Sequence, residues 1–196
     1  MLQIHTPRLR LISGTPVILR AELESARSLA AALDADVPAS WPPEYYDADA
    51  VGYMLHWAES HPEDTAWGFY YVLESPSHAG TRPLAVGAGG YKGPPDANGG
   101  VEIGYSIVPG RRRRGYAREA VDGWLAHAFA DPRVTRVLAH TLVDLEPSIA
   151  VLRSAGFAFA GPGVDPQEPS AVQYVLVRET YTSTSANRHS VRIEAA

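Results

Sequence analysis

Four consecutive arginines, Arg111 to Arg114, stand between the apolar stretch Val101 to Val108 and an amphipathic stretch that begins at Ala117. The first alternates as a strand does. In the second, Ala117, Ala120, Val121, Trp124, Leu125, Ala128 and Phe129 recur at the 3.6-residue period of a helix buried along one face. A strand, a tight basic turn and a helix N-terminus together make an anion site. The first helical turn has unpaired N–H groups and the positive end of the helix dipole. Gly115 and Ala117 are small where a phosphate must approach the backbone, and Arg112, Arg113 and Arg114 add permanent charge. The construction suits a pyrophosphate. It is not a Walker loop, which needs G-x-x-x-x-G-K-[ST], since the sole lysine is Lys92; the dinucleotide pattern G-x-G-x-x-G is missing from it too.

Other residues invite chemistry less directly. Glu102 shares its strand face with Gly104 and Ser106, so its carboxylate is either a base lining a cleft or a solvent-facing strand residue. Ser148 stands in the first turn of a short helix, where serine commonly satisfies a backbone N–H. Seven histidines form no H-E-x-x-H pattern, and with no cysteine no metal-ligand set emerges, so no metal is expected. No G-x-S-x-G elbow occurs. Without cysteine or an activated serine, a covalent acyl-enzyme is disfavoured. Trp41, Tyr45 and Tyr46 lie in a Pro-rich loop, as packing or as the lid of a pocket.

These groups need elements to hold them. Arg8 to Ile12 alternates as a half-buried strand, and Thr15-Pro16 opens helical character that runs, with a break, to about Leu33. A helix is expected around 48–60, and strands over 67–73, 84–91, 101–108, 134–141, 157–160 and 171–177. Helices follow the arginines and span Pro147 to Ala155. The result is a single mixed α/β domain over residues 1–180, with a polar, structureless tail over 181–196. The 196 residues suffice for one core, and 45% hydrophobic content excludes a wholly disordered chain. Net charge is −5, unsuited to a general nucleic-acid surface. Residues 1–100 carry six basic and twelve acidic side chains, residues 101–196 eleven and ten. No membrane span or signal peptide is read, so the expected location is cytoplasmic.

Arg112-x-x-Gly115-x-Ala117 resembles the coenzyme-A pyrophosphate loop, [QR]-x-x-G-x-[GA], of the GCN5-related N-acetyltransferase (GNAT) superfamily. Around it, Glu102-Ile-Gly-Tyr105, Gly115-Tyr-Ala-Arg-Glu-Ala120 and Gly89-Gly-Tyr-Lys-Gly-Pro-Pro-Asp96 are similar to the RimJ/RimL-type branch. So are Thr6 to Leu11, Ala139 to Leu142, Ser148 to Leu152 and Gly156-Phe157, in family order from about residue 6 to 178. The resemblance implies a twisted mixed sheet of six or seven strands, the fourth and fifth splayed to admit the pantetheine arm. It implies acetyl-coenzyme A as acetyl donor, and a primary amine as acceptor, on a peptide or a small molecule. A silent acyl-coenzyme A-binding domain is the alternative. The cofactor would lie over Ser106, Ile107, Val108, Arg112, Arg113, Arg114, Gly115, Tyr116, Ala117 and Arg118, with the N–H of Ile107 or Val108 as oxyanion donor. Glu102 would act as base through water, and Ser148 would protonate the departing thiolate. Trp41, Tyr91 and Tyr105 are the acceptor-side candidates, in a monomer or homodimer. Two positions depart from the family: its usual Asn is Leu145 here, and an often-glycine position is Arg113.

Overall fold

The computed structural model describes residues 1–76, 78, 80–163, 169–184 and 191–195. Its strands are β1 (Leu2–His5), β2 (Leu9–Ser13), β3 (Phe69–Glu74), β4 (Leu84–Tyr91), β5 (Gly100–Ile107), β6 (Arg136–Leu142), β7 (Ala158–Pro162), β8 (Ala171–Val177) and β9 (Arg192–Ala195). Its helices are α1 (Pro16–Glu24), α2 (Ala26–Leu33), α3 (Ala48–Ser60), α4 (Tyr116–Ala130), α5 (Glu146–Ser154) and α6 (Arg178–Thr184). The strands form one open mixed sheet, ordered β7-β8-β6-β5-β4-β3-β2-β1-β9. Only β5 and β6 are paired parallel; every other neighbouring pair is antiparallel.

Helices cover both faces. On β3, Tyr70 and Val72 face the core built with α4 and α5, while Phe69, Tyr71 and Leu73 face the core built with α1, α2 and α3. A strand buried on both sides reads as a continuous apolar run, which is how Trp67 to Leu73 reads. The α4 stripe behaves as its period dictates, with Ala120, Val121, Trp124, Leu125 and Ala128 wholly buried. The expected break in the first helical stretch falls at Ser25, whose side chain accepts from the Ser28 N–H and so starts α2.

The sheet has nine strands among the described residues, not six or seven. One addition is β1, which precedes the first expected strand. The other lies in the tail: β9 pairs antiparallel with β1, from Leu2↔Ala195 to His5↔Arg192. The tail is therefore not structureless there. The outer edge of β1 would expose unpaired N–H and C=O groups, and the returning chain satisfies them. The boundary at 180 falls inside α6, where Tyr181 stacks on Phe129. Residues 185–190 and 196 of the tail, and 164–168 between the strands expected over 157–160 and 171–177, lie outside the described residues.

Under α4, the Tyr91 hydroxyl donates to the Trp124 carbonyl, which leaves it to accept from His127 Nδ1 at 2.9 Å. Burial depresses the His127 pKa from 6.5 to about 4. The folded state therefore resists protonation that the unfolded chain accepts, and stability falls as pH drops from about 6.5 to about 4. That loss approaches about 3 kcal/mol for this group alone. Denaturant titrations at pH 7 and pH 4.5 check it: the drop should be smaller in His127→Gln, and an equal drop in both proteins would refute it.

Candidate active site

The site begins where two strands part. The β5–β6 register runs from Gly100↔Arg136 to Ile103↔Ala139 and stops, while β6 stays paired with β8 to Leu142. This is the implied splay, and it falls between β5 and β6 because β1 shifts the count by one. Backbone parity decides which groups enter the gap. Lys92 N–H donates to the Glu102 carbonyl and Val108 N–H to the Val86 carbonyl, so even-numbered residues of β5 bond to β4. The N–H groups of Tyr105 and Ile107 turn the other way, toward the gap. Val108 is thereby excluded as an oxyanion donor, whereas Ile107 retains the required direction.

Two cavities meet at the gap. The first, about 710 Å³, is lined by Ser106, Ile107, Arg112, Arg113, Gly115, Tyr116, Ala117 and Arg118, with Pro147, Ser148 and Val151 of α5 opposite. The arginines are not equivalent. Arg111 is tied to Glu74 at 3.2 Å. Arg112 donates through Nε to the Ile107 carbonyl at 2.9 Å and pairs with Glu44 at 2.9 Å. Arg118 pairs with Asp122 and donates to the Ser154 carbonyl, clamping α4 to α5. Arg113 and Arg114 are exposed and make no ion pair among the described residues. Gly115 takes the N-cap of α4 at φ 83°, and the α4 N-terminus opens onto this charge. The Tyr116 side chain turns away, donating to Glu74 beneath the Arg8 guanidinium, so only its backbone is available to a ligand.

Arg113 has φ 63°, a left-handed conformation in which glycine is at ease. This accounts for the family's preference at that position. Leu145 is explained similarly. It sits at the N-cap of α5 and makes no capping bond, where an asparagine side chain would cap, and it lines both cavities instead.

The second cavity, about 580 Å³, lies on the other side of the gap. Tyr46, Tyr53, Met54, Trp57 and Phe69 form its walls, with Lys92 and His140 at its charged end. Ser106, Tyr105 and Ser148 line both cavities. The Tyr105 hydroxyl lies 3.2 Å from Ser148 Oγ and 3.2 Å from the Ser148 carbonyl. Burial raises the Tyr105 pKa to about 12, so the phenol keeps its proton at neutral pH. Ser148 does not cap its helix; its hydroxyl faces Tyr105. Glu102 stands behind the cavity wall. Lys92 Nζ and, at 3.0 Å, His140 Nδ1 both approach its Oε1, and His140 Nε2 meets Gln173 Nε2 at 3.1 Å.

Residues 17–158 match the acetyltransferase (GNAT) domain family. The chain belongs to that family. An uncharacterized N-acetyltransferase of Bacillus subtilis (strain 168), YjdG, is 36% identical over 72 residues, 37% of this chain and 43% of that protein. The match thus spans less than half of that relative's length. Two solved GNAT-type folds superpose over nearly their full length. One is the ribosomal L7/L12 alpha-N-protein acetyltransferase RimL in complex with coenzyme A (15% identity, TM-score 0.62, 89% of this chain and 97% of that one). The other is a chimera of spermidine N-acetyltransferase SpeG from Vibrio cholerae and hSSAT (14% identity, TM-score 0.63, 92% and 99%). At such identities they establish the fold.

Within this GNAT domain Trp41 takes another place, whereas Tyr91 and Tyr105 line the aromatic cavity. Trp41 lines neither cavity: its indole N–H donates to Glu22 at 2.6 Å and its ring stacks on Tyr71. Tyr91 turns its ring into the core, its hydroxyl consumed by Trp124 and His127. In place of Trp41 the loop delivers Tyr45, 81% exposed and lining both cavities, and buried Tyr46. Lys92, His140 and Gln173 are neighbours of Glu102 that sequence reading missed. Their only signal was alternation on strands whose register was unknown.

Proposed function

We propose that this chain is an N-acetyltransferase of the RimJ/RimL-type branch, which moves an acetyl group from acetyl-coenzyme A directly to a primary amine in a ternary complex. One observation carries the reading: a basic, helix-capped cavity and an aromatic cavity meet at a gap between parallel strands. The fit to coenzyme A is chemical as well as spatial. Convergent N–H groups at the start of α4, with Arg113 and Arg114 making no ion pair among the described residues, suit a pyrophosphate. When bound, acetyl-coenzyme A supplies a thioester, an acyl group activated toward amines.

The chain's own groups then divide the work. The Ile107 N–H is oriented to stabilise negative charge developing on a carbonyl oxygen. The Tyr105–Ser148 pair stands where a leaving sulfur needs a proton. Glu102, its Oε1 already approached by Lys92 and His140, accepts the amine's proton on Oε2 through water. Even-numbered side chains of β5 project to one face and Tyr105 to the other, so the base and the acid flank the gap from opposite sides.

Calorimetry with acetyl-coenzyme A tests the reading, and absence of binding at millimolar ligand would end it. Arg113→Gly sharpens the test. It removes one charge while placing glycine at a left-handed φ, so the melting temperature should hold or rise. A charge-assisted contact contributes about 1.5–3 kcal/mol, hence a loss of at least roughly tenfold in affinity. Unchanged affinity would move the pyrophosphate elsewhere. Gly115→Val is a poorer probe, because φ 83° strains any side chain there whether or not a phosphate binds.

A further inference from the structure

The aromatic cavity is walled by interlocked rings, and its charges are already matched. Tyr46 lies parallel to Phe69, with centroids 4.7 Å apart and planes 5° apart, and Phe69 meets Tyr71 edge-on at 5.0 Å. The hydroxyls of Tyr46 and Tyr71 and the indole N–H of Trp41 all donate to Glu22, whose carboxylate anchors this wall from behind. Across the cavity the Trp57 ring lies on Gly68, where a Cβ would come within 2.7 Å of it. Tyr53 and Tyr45, 72% and 81% exposed, frame the opening.

The charged lining residues are Glu44, Lys92 and His140. Glu44 is paired with Arg112 and Lys92 with Glu102. A polycation entering here finds one carboxylate, already ion-paired, and an ammonium that repels it. A hydrocarbon or aryl body finds preformed rings and gains ring–ring contact beyond simple burial.

We infer that the acceptor is a primary monoamine bearing an aromatic or bulky apolar group, its body held among Trp57, Tyr53 and Tyr46 and its nitrogen directed to the gap beside Tyr105 and Ser148. This rests on the acetyl-transfer reading above and names the substrate class for it. In an apolar pocket a single methylene discriminates by roughly 10–200-fold.

The test measures thiol release from acetyl-coenzyme A with 2-phenylethylamine, ethylamine, spermidine and a short peptide with N-terminal phenylalanine. The expected result is a kcat/KM for 2-phenylethylamine at least tenfold above those of the other three. Tyr53→Ala, a change at an exposed position, and Trp57→Ala should each raise KM for 2-phenylethylamine severalfold or more. For ethylamine, too short to reach these rings, the KM increase should be severalfold smaller, with the affinity for acetyl-coenzyme A as the control for folding. Preference for spermidine or ethylamine would overturn the inference and leave the acetyl-transfer reading standing. Preference for the peptide would reassign the cavity to polypeptide N-termini and overturn it likewise. Acetyl-coenzyme A binding with no turnover of any amine overturns both the substrate class and the enzymatic reading. Equal KM increases for every amine in Trp57→Ala and Tyr53→Ala would reduce these rings to scaffolding.

Discussion

Gly104→Leu is expected to lower kcat/KM for amine acetylation about 10²-fold or more while the protein still folds and binds coenzyme A. A Cβ at Gly104 meets no atom within 4 Å, and its φ is not in the left-handed region, so a larger side chain is accommodated without strain. That side chain enters the aromatic cavity on the face shared by Glu102 and Ser106, directly beside the gap. It thus occupies the approach of the amine rather than the cofactor cavity, which Gly104 does not line. Displacing a reacting group by 1 Å costs on the order of 10²-fold, and exclusion costs more. Steady-state kinetics beside calorimetry with coenzyme A would check it. Full activity in Gly104→Leu would mean that the amine enters from another side.

Glu102→Gln should give a rate defect that depends on pH. At pH 7 about a seventh of an amine of pKa 7.8 is neutral, against well under a thousandth of one near 10.4. A positioned base contributes about 10²-fold, and that contribution is needed most where the amine is protonated. The defect should therefore be largest below the acceptor's pKa and shrink above it. Ser148→Ala should show the reverse, hurting most at high pH, where solvent protons for the thiolate are scarce. Because Ser148 does not cap α5, this variant should keep wild-type stability. A Glu102→Gln defect that stays flat with pH would demote the carboxylate to holding Lys92 and His140 in place.

Interaction distance along the chain separates what could be read from the residues and what could not. Apolar period and turn residues act over three to seven positions. They located α4, the break between α1 and α2, and the strand–turn–helix that carries the arginines. The alternation at Leu2–His5 and the isolated one at Arg192-Ile-Glu that makes β9 are too short to mark a strand by local pattern alone. Each strand is four residues long; β1 is held between β2 and β9, and β9 by its pairing with β1 across most of the chain.

By itself the sequence determined the family, the basic loop before a helix N-terminus, and the strand on which Glu102, Ser106 and Ile107 stand. These are local facts, set by residue type and neighbour. Tertiary structure alone decided which arginines of the run are held in ion pairs, since Glu74 and Glu44 reach Arg111 and Arg112 from distant segments. It also decided that Tyr45 and Tyr46 rather than Trp41 line the cavity, because the half-buried Glu22 captures the Trp41 indole. The neighbours of Glu102 likewise depend on the register of β4 against β5 and of β6 against β5. A shift of one residue would turn His140 to the opposite face, and no local pattern specifies that shift.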